Sequence, residues 1–137
     1  MPGSKLLDAV DFGAVLSAVA LNGAAGTRTA IITLDKRFAR VTVVTNYTRS
    51  SGTDVSITPS YSIDDGSTYG SETSEAITSG AAALSVYVET LTGTASFVIR
   101  RTYDVEGCDK LKLIYASTAA GAGDLITVNA VGSLVTQ

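Results

Sequence analysis

The sequence predicts an all-β fold: an antiparallel β-sandwich or jelly roll of about eight strands, preceded by an N-terminal arm. Three observations carry this expectation. Val, Ile and Thr together number 40 of the 137 residues, and such side chains are stiff at χ1 and fit a pleated surface. Apolar and polar residues alternate with a period of about two along most of the chain. Clusters rich in Gly, Asp and Ser punctuate those runs at short intervals, as turns do.

In chain order, residues 1–27 read as the arm and residues 28–137 as the sandwich domain. The arm is rich in Ala, Gly and Leu and closes on Asn22-Gly23-Ala24-Ala25-Gly26; it is expected to be extended, and periodicity leaves helix and strand both open for 10–20. Ala30, Ile32 and Leu34 then share a face, as do Val41, Val43, Thr45 and Tyr47. Val55, Ile57, Tyr61 and Ile63 oppose Ser56, Thr58, Ser60 and Ser62. Pro59 within that run has no N–H to give, which predicts an edge strand or a bulge. The alternation returns at Leu84-Val86-Val88, Ala95-Phe97-Ile99, Leu111-Leu113-Tyr115 and Ile126-Val128-Ala130. Turns are expected at 49–54, 64–71, 78–80, 92–93, 106–107 and 119–123.

Composition narrows the function classes. Hydrophobic residues make up 45 % of the chain and charged residues 17 %, too apolar for disorder and too interrupted by Ser, Thr and Gly for a membrane span. A net charge of −3 argues against nucleic acid as a partner, because phosphate binding needs a basic face. The chain has no His and one Cys, Cys108. That removes the common His-dependent triads, the usual zinc sites and any internal disulfide. No phosphate-cradling glycine loop is present; Gly121-Ala122-Gly123 precedes a strand. No enzymatic activity, cofactor, metal or membrane association is expected. Asp8 and Asp11 lie where a secretory signal would be basic or apolar, so Phe12–Leu21 reads as mature chain. For the same reason Asn46-Tyr47-Thr48 reads as a chance glycosylation match.

The sharpest local pattern is Ser62-Ile63-Asp64-Asp65-Gly66-Ser67-Thr68-Tyr69. It resembles the Asp-box hairpin, Ser-x-Asp-x-Gly-x-Thr-Trp, with Tyr69 in place of Trp. The resemblance implies a structural turn: Asp64 capping backbone donors, Gly66 at positive φ, Thr68 within the turn and the Tyr69 ring packed beneath. Asp64 and Asp65 could alternatively join Glu72 or Glu75 around Ca²⁺, which favours clustered oxygens. Lys36, Arg37, Arg40 and Arg49 form a basic grouping opposite that acidic one, and complementary patches of this kind can set register between subunits. With the arm residues Leu6, Leu7, Val10 and Phe12, the arginines are the candidate partner-interface residues. An arm of 20 extended residues reaches roughly 65 Å. Tyr47, Tyr69, Tyr87 and Tyr103 are candidates for a row of exposed aromatics in a carbohydrate-binding surface.

Taken whole, the chain resembles small virion proteins of tailed bacteriophages, especially capsid decoration (cement) proteins. The carriers are the Ala/Gly-rich arm, the Ser/Thr-rich strands, the SIDDGSTY hairpin, and DVEGCDKLKLIYAS followed by an Ala/Gly loop and LITVNAVGSLV. The resemblance implies a sandwich or jelly roll, often a homotrimer, that is made in the host cytoplasm and sits on the virion. Its partners would be the major capsid protein or other virion proteins. The alternative is a carbohydrate-binding or tail/adaptor accessory module.

Overall fold

One face of each alternating strand turns inward, and the chain forms an antiparallel β-sandwich. The computed structural model describes residues 9–21, 27–71, 73–78, 81–93 and 95–134. One sheet has the order β1 (Ala9–Ala20), β11 (Leu125–Leu134), β3 (Phe38–Thr48), β9 (Phe97–Asp104). The other runs β2 (Thr27–Thr33), β10 (Lys110–Ser117), β4 (Val55–Ser62), with two short strands on the far edge of β4. β5 (Gly70–Ser71) pairs with Ser60 and Tyr61, and β8 (Glu89–Leu91) with Val55–Ile57. β6 (Thr73–Thr78) and β7 (Ala81–Val86) form a separate two-stranded ribbon in which Ala76 faces Ala83.

The core fills the space between the sheets. β3 contributes Val41, Val43 and Tyr47; β11 contributes Ile126, Val128 and Ala130; β10 contributes Leu111, Leu113 and Tyr115; β2 and β4 add Ala30, Ile32, Val55 and Ile57. Two buried hydroxyls satisfy each other between the layers, Thr45 Oγ1 and Tyr115 Oη at 2.9 Å. Burial pushes the Tyr115 hydroxyl up to about 12, so it stays a neutral hydrogen-bonding group. Pro59 faces Leu113 of β10. On its other side it falls between the residues paired to β8 and those paired to β5, a stretch of open edge where a missing donor costs nothing.

The segment expected as an arm has a different role. Residues 9–20 are an edge strand, antiparallel to β11 from Ala9↔Ser133 to Ala20↔Leu125. Three register shifts interrupt the pairing, and Gly13 and Ala18 have φ of 70° and 47°. These irregularities let one long strand alternate between pairing and wrapping. Val10 and Phe12, expected to reach a neighbouring subunit, pack instead on their own core. The Phe12 ring lies 5.1 Å from that of Phe38. Leu6 and Leu7 lie outside the described residues.

Gly132 is what allows this aromatic pair to sit on β11. A Cβ there would come within 2.6 Å of the Phe38 ring and 2.8 Å of the Phe12 ring. Gly132→Ala should therefore destabilise the fold by about 1–3 kcal/mol through overpacking. In a urea titration the midpoint should fall with the slope unchanged.

Candidate functional site

Among the described residues the most heavily bonded polar group is Asp124, which enters β11 from the 118–124 loop and is fully buried. Its Oδ1 accepts from the Tyr47 hydroxyl at 2.7 Å and from the Ser50, Ser51 and Gly52 amides at 2.8, 3.1 and 2.9 Å. Its Oδ2 accepts from the Gly121 amide at 2.7 Å and from the Ser51 amide and hydroxyl, both at 3.1 Å. The Asp124 carbonyl takes the Leu21 amide at 2.8 Å. One side chain thus ties the 49–54 loop, the 118–124 loop and the end of β1 together. Burial pushes its carboxyl up, and the amides of Gly121, Ser50 and Gly52 with the Tyr47 hydroxyl outweigh it, holding the group far below the carboxylate range. Gly52 lets the loop approach; a Cβ would sit 2.5 Å from Tyr47 Oη and 2.6 Å from Ser117 Oγ. With every lone pair engaged, Asp124 is a clasp. Local pattern carries no sign of it, because all its donors but the nearby Gly121 amide lie more than 70 residues away in sequence.

At the opposite end is the hairpin that follows β4. Asp64 accepts from the Thr68 amide at 2.8 Å, from the Thr68 hydroxyl, and from Ser62 Oγ at 2.8 Å. The Thr68 hydroxyl and amide and the Ser62 hydroxyl lower the Asp64 carboxyl to about 2. Gly66, at φ 85°, donates to Ser62 Oγ at 2.8 Å. The turn lies against β10: Lys110 Nζ is 3.6 Å from Asp65, and Lys112 Nζ stands 4.0 Å from the centre of the Tyr69 ring. Ser60 lies opposite Lys112, and its buried hydroxyl has no hydrogen-bond partner among the described residues. Beside the turn an open groove of about 540 Å³ is lined by Tyr61, Ile63, Asp64, Thr68, Tyr69 and neighbours. Ile63 is 70 % exposed there.

The other sequence candidates are dispersed. Arg37 lies 5.5 Å from the Phe38 ring, and Lys36 reaches Asp109 at 3.9 Å. Arg40 is exposed on β3, opposite Ser133 and Asp104. Arg49 lies at the far end of β3 and donates to the Gly52 carbonyl at 2.8 Å. The basic grouping is therefore split between two ends of the sandwich. Of the tyrosines, Tyr47 is buried in the clasp, Tyr103 is half-buried and Tyr87 is 42 % exposed; they do not form a row. Among the described residues no three His, Cys, Asp or Glu converge; Glu72 and the Glu75 side chain, the expected calcium partners of Asp64 and Asp65, lie outside that set. Cys108 is half-buried, and burial, with Asp104 and Asp109 nearby, raises its thiol. A cavity of about 140 Å³ between the sheets is lined by Tyr47, Val55, Leu91, Phe97 and small neighbours.

No family model matches the chain, and no curated protein matches it. Several solved structures are similar. The SPBc2 prophage-derived protein YomS is 16 % identical, with 91 % of this chain and 92 % of that chain covered at a TM-score of 0.46. The CBM22-1 xylan-binding domain from Paenibacillus barcinonensis Xyn10C is 13 % identical, with 94 % of each chain covered at a TM-score of 0.38. A structure described as CBM4 is 10 % identical, with 80 % of this chain and 58 % of that chain covered at a TM-score of 0.41.

Both clasping carboxylates sit below their ordinary value of 3.8. The unfolded chain therefore takes up protons first, and the stability these groups give, complete above that value, is lost as pH falls below it. Thermal melts should show the midpoint dropping between roughly pH 5 and pH 2. Asp124→Asn should cost about 2–4 kcal/mol at neutral pH, because one oxygen becomes a donor facing donors. Its acid drop should be shallower than that of the parent chain.

Proposed function

We propose that this chain is a non-enzymatic structural protein of a bacteriophage particle, docking on the capsid surface as a decoration or cement protein that braces neighbouring shell subunits. Its partner is the major capsid protein or another virion protein, and it acts as an oligomer. The observation that carries this reading is the presentation of Ile63. A large apolar side chain is held 70 % exposed beside an open groove, on a turn fixed by the Asp64 and Ser62 hydrogen bonds. A side chain displayed on a pre-ordered turn loses little conformational entropy on docking. Repetition over a lattice multiplies such modest contacts into firm attachment. The strongest described polar constellation, around Asp124, is consumed in holding loops, which is consistent with a docking role.

A second reading, glycan binding, is favoured by one observation: Tyr61 and Tyr69 line the same groove. It predicts that a glycan array gives a hit that Tyr69→Ala abolishes.

The docking reading is tested by co-sedimentation with purified particles lacking the protein. Ile63→Asp should reduce occupancy at least about tenfold, in line with the loss of a buried anchor residue, while the melting midpoint stays near that of the parent. Full occupancy by the variant would count against docking through this face.

A further inference from the structure

A sandwich has open edges, and an exposed regular edge strand is a template for another strand. Three of the edges here are blunted or guarded. β1 is broken by three register shifts. β5 and β8 span two and three residues. β2 is guarded at its start by its own Arg28, whose Nε donates to the Ala20 carbonyl at the end of β1 at 2.6 Å. The fourth edge, β9, is different. It runs eight residues, Phe97–Asp104, pairs with β3 without a register shift and, among the described residues, has no strand on its other side.

We propose that β9 is a self-association edge: two copies pair antiparallel through β9 about a two-fold axis at Thr102, and the two sheets join into one. Charge selects the partner and the register: within β9, only an axis at Thr102 sets an Arg directly opposite an Asp. A two-fold axis normal to the sheet brings residues of equal parity opposite each other, so that outward faces outward. An axis at Arg100 sets Arg100 against its own copy, and one at Arg101 does the same for Arg101. Like charges directly opposite are destabilising. An axis at Thr102 sets Arg100 opposite Asp104 twice, Thr102 opposite Thr102, and Arg101 opposite Tyr103. Arg100 is exposed, and its guanidinium has no ion pair or hydrogen bond among the described residues. Asp104 is also exposed, and its Oδ1 takes only the Glu106 amide, at 3.3 Å. Arg40, opposite Asp104 on β3, continues the row, so that charges alternate in sign across the junction.

The inner face of this edge is already braced for such a role. Arg101 donates through Nε to Glu89 at 2.7 Å, and its Nη2 lies 2.5 Å from the same carboxylate. This bridge ties β9 to β8 of the other sheet. The strand is thus held in extended form before any partner arrives, which lowers the cost of adding a strand. β2 provides no comparable code: its one charge is Arg28, already engaged.

Sedimentation velocity across a concentration series tests the inference. The full chain should pass from the 14.0 kDa monomer to a species of twice that mass. Arg100→Asp and Asp104→Arg should each weaken the association at least about tenfold by replacing attraction with repulsion at two symmetric positions. The doubly exchanged variant should restore it, which also controls for any folding defect in the singles. In hydrogen exchange, β9 amides should gain protection with concentration. A chain that stays monomeric at its highest soluble concentration would overturn the proposal. So would a double exchange without rescue, or protection that grows elsewhere and leaves β9 unchanged. These outcomes are separable from particle docking, since Ile63 lies on the turn that follows β4 of the other sheet and co-sedimentation reads it independently.

Discussion

The structure depends on parity in the strand segments that build the core: over 41–47 of β3, 111–115 of β10 and 126–130 of β11 every second residue turns inward. On β3 and β10 a slip of one residue would carry Val41, Val43 and Tyr47, or Leu111, Leu113 and Tyr115, out to solvent and bring Thr42 or Lys112 into the core. Strand pairing alone fixes such a register weakly, so the ends need pins. At one end the Asp124 carboxylate gathers the loops that follow β3 and β10. At the other, the turn after β9 is stitched to three strands or their exits: Val105 N to the Ala39 carbonyl, Asp109 N to the Ser62 carbonyl, and Leu34 N to the Asp109 carbonyl. The polar groups at the two ends thus set the phase in which the apolar core can form.

That division explains what could be read from the sequence. Period-two alternation is written locally, so the strands around Ala30–Leu34, Val41–Tyr47, Val55–Ser62, Leu111–Tyr115 and Ile126–Ala130 were legible, as was the fold class. The Asp64 turn was visible for the same reason, since its donors lie within four residues of the carboxylate. Residues 9–20 read as an arm in the sequence because the register shifts of β1 break the alternation that would mark a strand. The run Leu84-Val86-Val88 looked continuous, yet β7 ends at Val86 and β8 begins at Glu89; alternation does not record a change of pairing partner. Asp124 leaves no mark in the local sequence. Burial of a carboxylate is decided by groups brought together from distant parts of the chain, and its own neighbours, Gly123 and Leu125, read as an ordinary turn running into a strand.

The outward faces answer to a different demand. They carry few charges and many short branched side chains, such as Thr42 and Thr102, whose hydroxyls meet at 3.1 Å on the exposed side. Short branched side chains have little rotamer freedom to lose, and uncharged ones have little hydration to give up. Such a surface suits docking better than a Lys- and Glu-covered one. It also leaves the sheet margins poorly guarded, because charge is the usual deterrent to edge pairing. The chain meets that hazard by geometry: bulges in β1, very short β5 and β8, and a proline in the short open stretch of β4 between them. A sandwich that spends its few charges at chosen places, and relies on backbone irregularity elsewhere, keeps its contacts specific without giving up the low-entropy surface on which they form.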